Sequence, residues 1–154
     1  MGMVKVLHGI TGNRTLPQML QKLRPLEQAE AFAQLYLAEA VQESAKWAFT
    51  LEDDNGQFIA SMAIMPDVNR NGWLVSYPGA AIGSGHELRP LLRLFKIFRD
   101  SGAVYDTLRA WVASDDQRAI KFAEAFGFVY DCGPATGLSP IGRDMNLYRW
   151  SNSK

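Results

Sequence analysis

Two stretches of the chain combine residue types and spacing that can do chemistry. The first is Ala80-Ala81-Ile82-Gly83-Ser84-Gly85, inside a glycine-rich loop from Pro78 to Gly85 that leads into an amphipathic stretch. Glycines let a backbone approach phosphate oxygens, and the start of a helix offers unpaired N–H groups and the positive end of the peptide dipole. His86 follows and either adds a donor or is merely exposed. The same loop also reads as a flexible turn feeding a surface helix. The second stretch is Ser114-Asp115-Asp116-Gln117, a capping-box pattern ahead of a helix that Gly127 ends. Asp116 there is either a hydrogen-bond acceptor and weak base, or a helix N-terminal charge that complements the dipole.

Other chemistries find no support in the residues. His8 and His86 lie far apart, without the Cys/His spacing of a metal site. There is no Walker-type loop and no nucleophile elbow. The one cysteine, Cys132, precedes Gly133-Pro134 and reads as a bystander thiol in a turn, with no internal disulfide open to it. Sixteen basic residues balance sixteen acidic ones, so the charge gives no case for nucleic acid or an anionic membrane. Met1 to Leu7 carry one lysine and no long apolar run, which argues against a signal peptide. No stretch approaches the ~18 apolar residues of a membrane span. With 154 residues, 47% of them apolar, the expectation is one soluble, cytoplasmic domain over 1–154.

The elements that must position these residues follow from pattern. Val4 to Leu7 is β-prone. Thr15-Leu16-Pro17-Gln18 is a helix start with a cap and a tolerated proline. Pro25 opens a second helix running to about Ala45, with Ala29, Phe32, Ala33, Leu35, Tyr36, Ala40 and Val41 at helical spacing. Trp47–Leu51, Phe58–Met65 and Trp73–Tyr77 read as strands of an antiparallel meander. Asn55-Gly56 is the first turn, and solvated Glu52, Asp53 and Asp54 lie beside it. The next helix starts either at a Ser84/Glu87 capping box or at Pro90, and stops near Gly102. Its apolar stripe is Leu88, Leu91, Leu92, Phe95 and Phe98. A strand at Thr107–Val112, a helix facing inward through Ile120, Phe122, Ala123 and Phe126, and strands at Phe128–Asp131 and Asp144–Trp150 complete the chain. The crossover between Trp73 and Val112 implies one parallel pair in a mixed α/β sheet.

The run Asp116 to Phe128, with its polar residue, Ala119-Ile120 and terminal Gly127-Phe128, resembles the C-terminal signature of the GNAT acyltransferases. Ala80 to Gly85 is similar to the loop that this family places before a helix, with Gly83 and Gly85 matching and Ala80 standing where the family has Arg or Gln. The layout from Leu23 to Cys132 is also similar to small internal virion proteins of short-tailed phages. The residues are Leu23-Arg24-Pro25, Leu91-Leu92-Arg93-Leu94-Phe95 and Phe126-Gly127-Phe128.

The GNAT resemblance implies a mostly antiparallel mixed sheet with flanking helices and one splayed parallel strand pair. It implies acetyl-CoA as cosubstrate and an amine as acceptor. The pyrophosphate would rest on Gly83, Ser84, Gly85 and His86. The pantetheine would lie along Leu74, Val75 and Tyr77, with Asp116 and Phe122 contributing from the signature helix. Acetyl transfer needs a base and an acid. The family often takes the acid from a helix tyrosine, but Ala123 stands at that position. Asp116 and Tyr77 are the catalytic candidates that remain, with Tyr105 and Tyr130 as further stand-ins for the acid. The phage resemblance implies instead a non-catalytic protein of a virion. A homodimer is left open.

Overall fold

The structure is a computed structural model that describes residues 4–83, 86–100 and 105–152. Seven strands form a mixed sheet: β1 (Lys5–His8), β2 (Trp47–Glu52), β3 (Phe58–Pro66), β4 (Asn71–Pro78), β5 (Thr107–Ala113), β6 (Val129–Ala135) and β7 (Met145–Ser151). Their order is β1-β2-β3-β4-β5-β7-β6. Pairing is antiparallel at β1–β2, β2–β3, β5–β7 and β6–β7, and parallel at β4–β5. Among the described residues five α-helices accompany the strands: α1 (Leu16–Leu20), α2 (Pro25–Ala33), α3 (Leu35–Ser44), α4 (Arg89–Asp100) and α5 (Gln117–Ala125). The expected α/β class, meander and single parallel crossover are all present. The chain divides into two compact units, Met1–Met65 with Val75–Leu91 and Pro66–Leu74 with Leu92–Lys154.

In the first unit, local rules account for the helix starts. Thr15 and Gln18 form the anticipated reciprocal capping box on α1. Pro25 is the first residue of α2, where its missing N–H costs nothing. The single long helix expected up to Ala45 is instead two, because Gln34 leaves helical geometry at φ −137° and ψ 59°. The break resets the phase of the apolar stripe. Ala31, Ala38 and Val41 are the buried positions, while Phe32, Leu35 and Tyr36 are exposed. These buried alanines pack with Ile10, Met19, Leu20, Leu23, Phe58 and Tyr77.

Glu52 corrects a second expectation. It is not solvated beside the hairpin turn. It is buried and paired with Arg14 at 2.6 Å, and Arg14 also donates to the Gly56 carbonyl. A distant arginine brings the charge inside, and turn composition gives no sign of it.

In the second unit, Phe95 of α4 is the centre of an aromatic cluster, 5.2 Å from Phe126, 5.6 Å from Trp150 and 6.3 Å from Phe128. Leu108, Ala110, Val112 and Tyr148 are buried along β5 and β7. Cys132 lies in strand β6, exposed and opposite Leu147, and not in a turn. The turn-forming residues after it appear as register shifts in the β6–β7 ladder. The stop expected at Gly102 lies outside the described residues.

Candidate functional site

The exit of β4 is where the sequence placed its glycine loop, and the first unit pins it from several sides. Arg24 N–H donates to the Pro78 carbonyl, Gly79 N–H to Ile59, and Ala80 N–H to Lys22. Leu23 and Gly79 form an isolated antiparallel bridge. Only glycine fits at 79, because a β-carbon there would meet the Ile59 carbonyl at 2.7 Å and the Phe58 ring at 2.8 Å. The linker between α1 and α2 thus fixes the point from which the loop departs.

Val75 and Tyr77 lie on one face of β4. Tyr77 is buried in the apolar cluster and Val75 is packed against it. Burial pushes the Tyr77 phenol up to about 12. A phenol in that state stays protonated at neutral pH, so it can donate or accept a hydrogen bond but cannot serve as a general base.

Beyond the loop, the helix begins within one residue of Pro90, one of the two starts the sequence offered. A 3-10 helix, His86–Leu88, comes first, and α4 opens at Arg89 with Pro90 in its tolerated first turn. Ser84 and Gly85, both assigned to phosphate, lie outside the described residues, as does the side chain of His86. Gly83 is described, and its N–H donates to Glu87 Oε2 at 2.7 Å. Glu87 thus takes a loop amide, and the capping box the sequence offered it with Ser84 falls on a residue outside the described ones.

In the second unit, Asp116 is the N-cap of α5, and its side chain accepts from Ala119 N–H at 3.1 Å. The box anticipated from Ser114 is displaced by two residues. Its carboxylate satisfies one of the orphan donors of the helix start, which is the structural role weighed for it above. Phe122 is half-buried and packs on Phe126 at 4.7 Å. Ala123 is buried, with its carbonyl accepting from Phe128 N–H.

Leu74 is half-buried at the end of the β4 segment that belongs to this unit. Within this unit β4 and β5 pair in parallel from Asn71 opposite Thr107 to Trp73 opposite Arg109.

The two further tyrosines are less well placed for acid chemistry. Tyr105 is buried against Phe98 just before β5, and Tyr130 is exposed with its hydroxyl donating to the Gly133 carbonyl. Sequence reasoning missed a pairing beside the parallel ladder. Trp73 and Trp111 stack at 6.3 Å and 17°. The Trp73 indole donates to Asp67, which this bond, the Val68 N–H and Arg109 together hold below the usual carboxylate range. The signal available was that Trp73 and Trp111 fall on strands expected to run parallel. A groove of about 520 Å³ elsewhere on the first unit, lined by Leu16, Leu35, Tyr36, Glu39 and Glu43, contains none of the anticipated site residues.

No family model matches the chain, and no curated protein matches it. Solved structures do. A ribosomal-protein alanine N-acetyltransferase from Escherichia coli aligns at 17% identity and TM-score 0.67, covering 99% of this chain and 96% of that one. A putative phosphinothricin N-acetyltransferase aligns at 16% identity and TM-score 0.67, covering 99% of this chain and 100% of that one. The spermidine N-acetyltransferase from Vibrio cholerae, solved with CoA and spermine, gives 14% identity and TM-score 0.69, covering 98% and 96%. Likeness at these identities is likeness of backbone architecture, and it extends over nearly the whole chain: this protein has the fold of the GNAT N-acetyltransferases.

Proposed function

We propose that this protein binds acyl-CoA at the exit of β4 and transfers an acetyl group to a primary amine. The observation that carries the reading is Gly83. Its amide already holds a carboxylate oxygen, in a space that exists only because the residue has no β-carbon. A charged oxygen seated on a bare backbone N–H is the contact a diphosphate makes. The loop leaves β4, to whose backbone a pantetheine can add as an extra strand does.

The chemistry is then direct displacement. The neutral amine nitrogen attacks the thioester carbonyl, an N–C bond forms, the C–S bond breaks, and the sulfur leaves as a thiolate. The nitrogen gives up one proton and the sulfur takes one. Tyr77, the candidate acid on β4, is assigned the hydrogen bond to the leaving sulfur. Giving that sulfur its proton outright runs uphill, because a phenol at about 12 faces an ordinary thiol near ~8.5, a gap worth roughly 5 kcal/mol. Water supplies the proton. Asp116 is occupied as a cap and is a weak base toward an amine. The amine therefore arrives by its own ionisation equilibrium, and turnover rises about tenfold per pH unit below the amine's pKa.

A second reading is a non-catalytic GNAT-like protein, such as a phage virion component. It rests on buried Ala123, which fills the signature-helix position with a methyl group where the resemblance puts an acid. Thiol release from acetyl-CoA with a panel of primary amines separates the two. Release that climbs with pH and falls in Tyr77→Phe supports transfer. CoA binding without release supports the second reading, and the absence of both removes the acyl-CoA reading.

A further inference from the structure

We propose that Glu87 is a built-in competitor for the anionic part of the ligand: its carboxylate holds the Gly83 N–H that a diphosphate would take, so the ligand binds only by displacing it. The inference rests on the acyl-CoA reading of the β4 exit and adds to it a control of affinity within the loop.

Three observations converge on Glu87. Its Oε2 accepts from the Gly83 N–H at 2.7 Å. An ideal β-carbon on Gly83 would lie 2.5 Å from that same oxygen and 3.5 Å from the carboxyl carbon, so the carboxylate rests flush against bare backbone. Glu87 also belongs to the 3-10 helix that precedes α4, and it reaches backwards along the chain to the loop. A side chain in that position does for the amide what a phosphate oxygen would do, since both are charged acceptors making a short, charge-assisted bond.

Two consequences follow. The loop amide is held in an anion-binding arrangement before any ligand arrives, which lowers the ordering cost of binding. The same carboxylate must be expelled by the incoming phosphates, and its negative charge repels them as it leaves. Glu87 thus weakens and quickens the exchange of a diphosphate-bearing ligand. A ligand lacking phosphates escapes both effects.

The test is calorimetric titration of the full-length protein and its Glu87→Gln and Glu87→Ala variants with CoA, inorganic pyrophosphate and pantetheine. Glutamine keeps the shape and loses the charge, and alanine removes a spurious amide donor as an explanation. The expected result is CoA and pyrophosphate bound roughly tenfold more tightly by both variants, about 1.4 kcal/mol, with pantetheine unchanged. Binding seen only in the variants supports the inference more strongly still. CoA bound equally or more weakly by the variants overturns it and leaves the acyl-CoA reading standing. Equal tightening of pantetheine also overturns it, because the effect would then not act through the anion. No binding of CoA to any of the three proteins overturns the inference and the acyl-CoA reading together.

Discussion

Asp116 and Glu87 make the same bond in two regions of the molecule, each carboxylate accepting from a backbone N–H a few residues away, at 3.1 Å and 2.7 Å. At Asp116 the donor is Ala119, inside the first turn of α5, and the bond closes a group that the helix geometry leaves open. At Glu87 the donor is Gly83, in a loop ahead of the 3-10 helix, and α4 starts two residues past Glu87. The first carboxylate belongs to the fold. The second sits on the amide that the acyl-CoA proposal assigns to a diphosphate. A carboxylate on a nearby backbone N–H therefore says little about role until the element that owns the donor is known.

The largest effect that sharpens this contrast lies at the loop's fixed end. Gly79→Ala drives a methyl group into the Ile59 carbonyl and the Phe58 ring. It is expected to cost about 3 kcal/mol in urea unfolding, at the upper end for overpacking. A neutral substitution would mean the β4 exit is not pinned and the loop has no defined start.

Tyr77, just before that exit, gives an effect of similar size at alkaline pH. Its phenol is near 10 in the unfolded chain and about 12 in the folded protein. Below pH 10 both states are protonated and its contribution is complete. Between about pH 10 and 12 only the unfolded state ionises, so stability falls by about 1.4 kcal/mol per pH unit, roughly 2.7 kcal/mol in all. Tyr77→Phe flattens that part of the profile. Burial raises Tyr105 and Tyr148 in the same direction, so a smaller slope persists in the variant.

Asp116→Ala should cost about 1 kcal/mol of stability, the usual cost of losing an N-cap. Glu87→Ala, measured the same way, should cost less than about 0.5 kcal/mol, as expected for an exposed contact. If the two losses come out equal, Glu87 is a structural cap like Asp116 and the contrast fails.

Much of the architecture was legible before the structure because its signals are local. Thr15 with Gln18, Pro25 at a helix start and Asn55-Gly56 at a hairpin each carry their own geometry. The parallel crossover followed from element order alone. What escaped depended on distant partners or on phase. Glu52 looked solvated because Arg14 is far away in sequence. Phe32 and Tyr36 looked buried because the irregular Gln34 that rephases the helix has no strong sequence mark. In the site, Gly83 and Asp116 were singled out by residue type, but which amide each nearby carboxylate would hold was not. Glu87 reaches four residues back because a 3-10 helix intervenes before α4, and Pro90 gave only part of that boundary.

The most direct test of the account is a calorimetric titration of CoA into the wild-type protein and into Gly83→Val, whose side chain would fill the position now held by the Glu87 carboxylate. Saturable binding to the wild type that is lost in the variant, with an unchanged unfolding midpoint, is the predicted result. CoA bound equally by both proteins, or by neither, would contradict it.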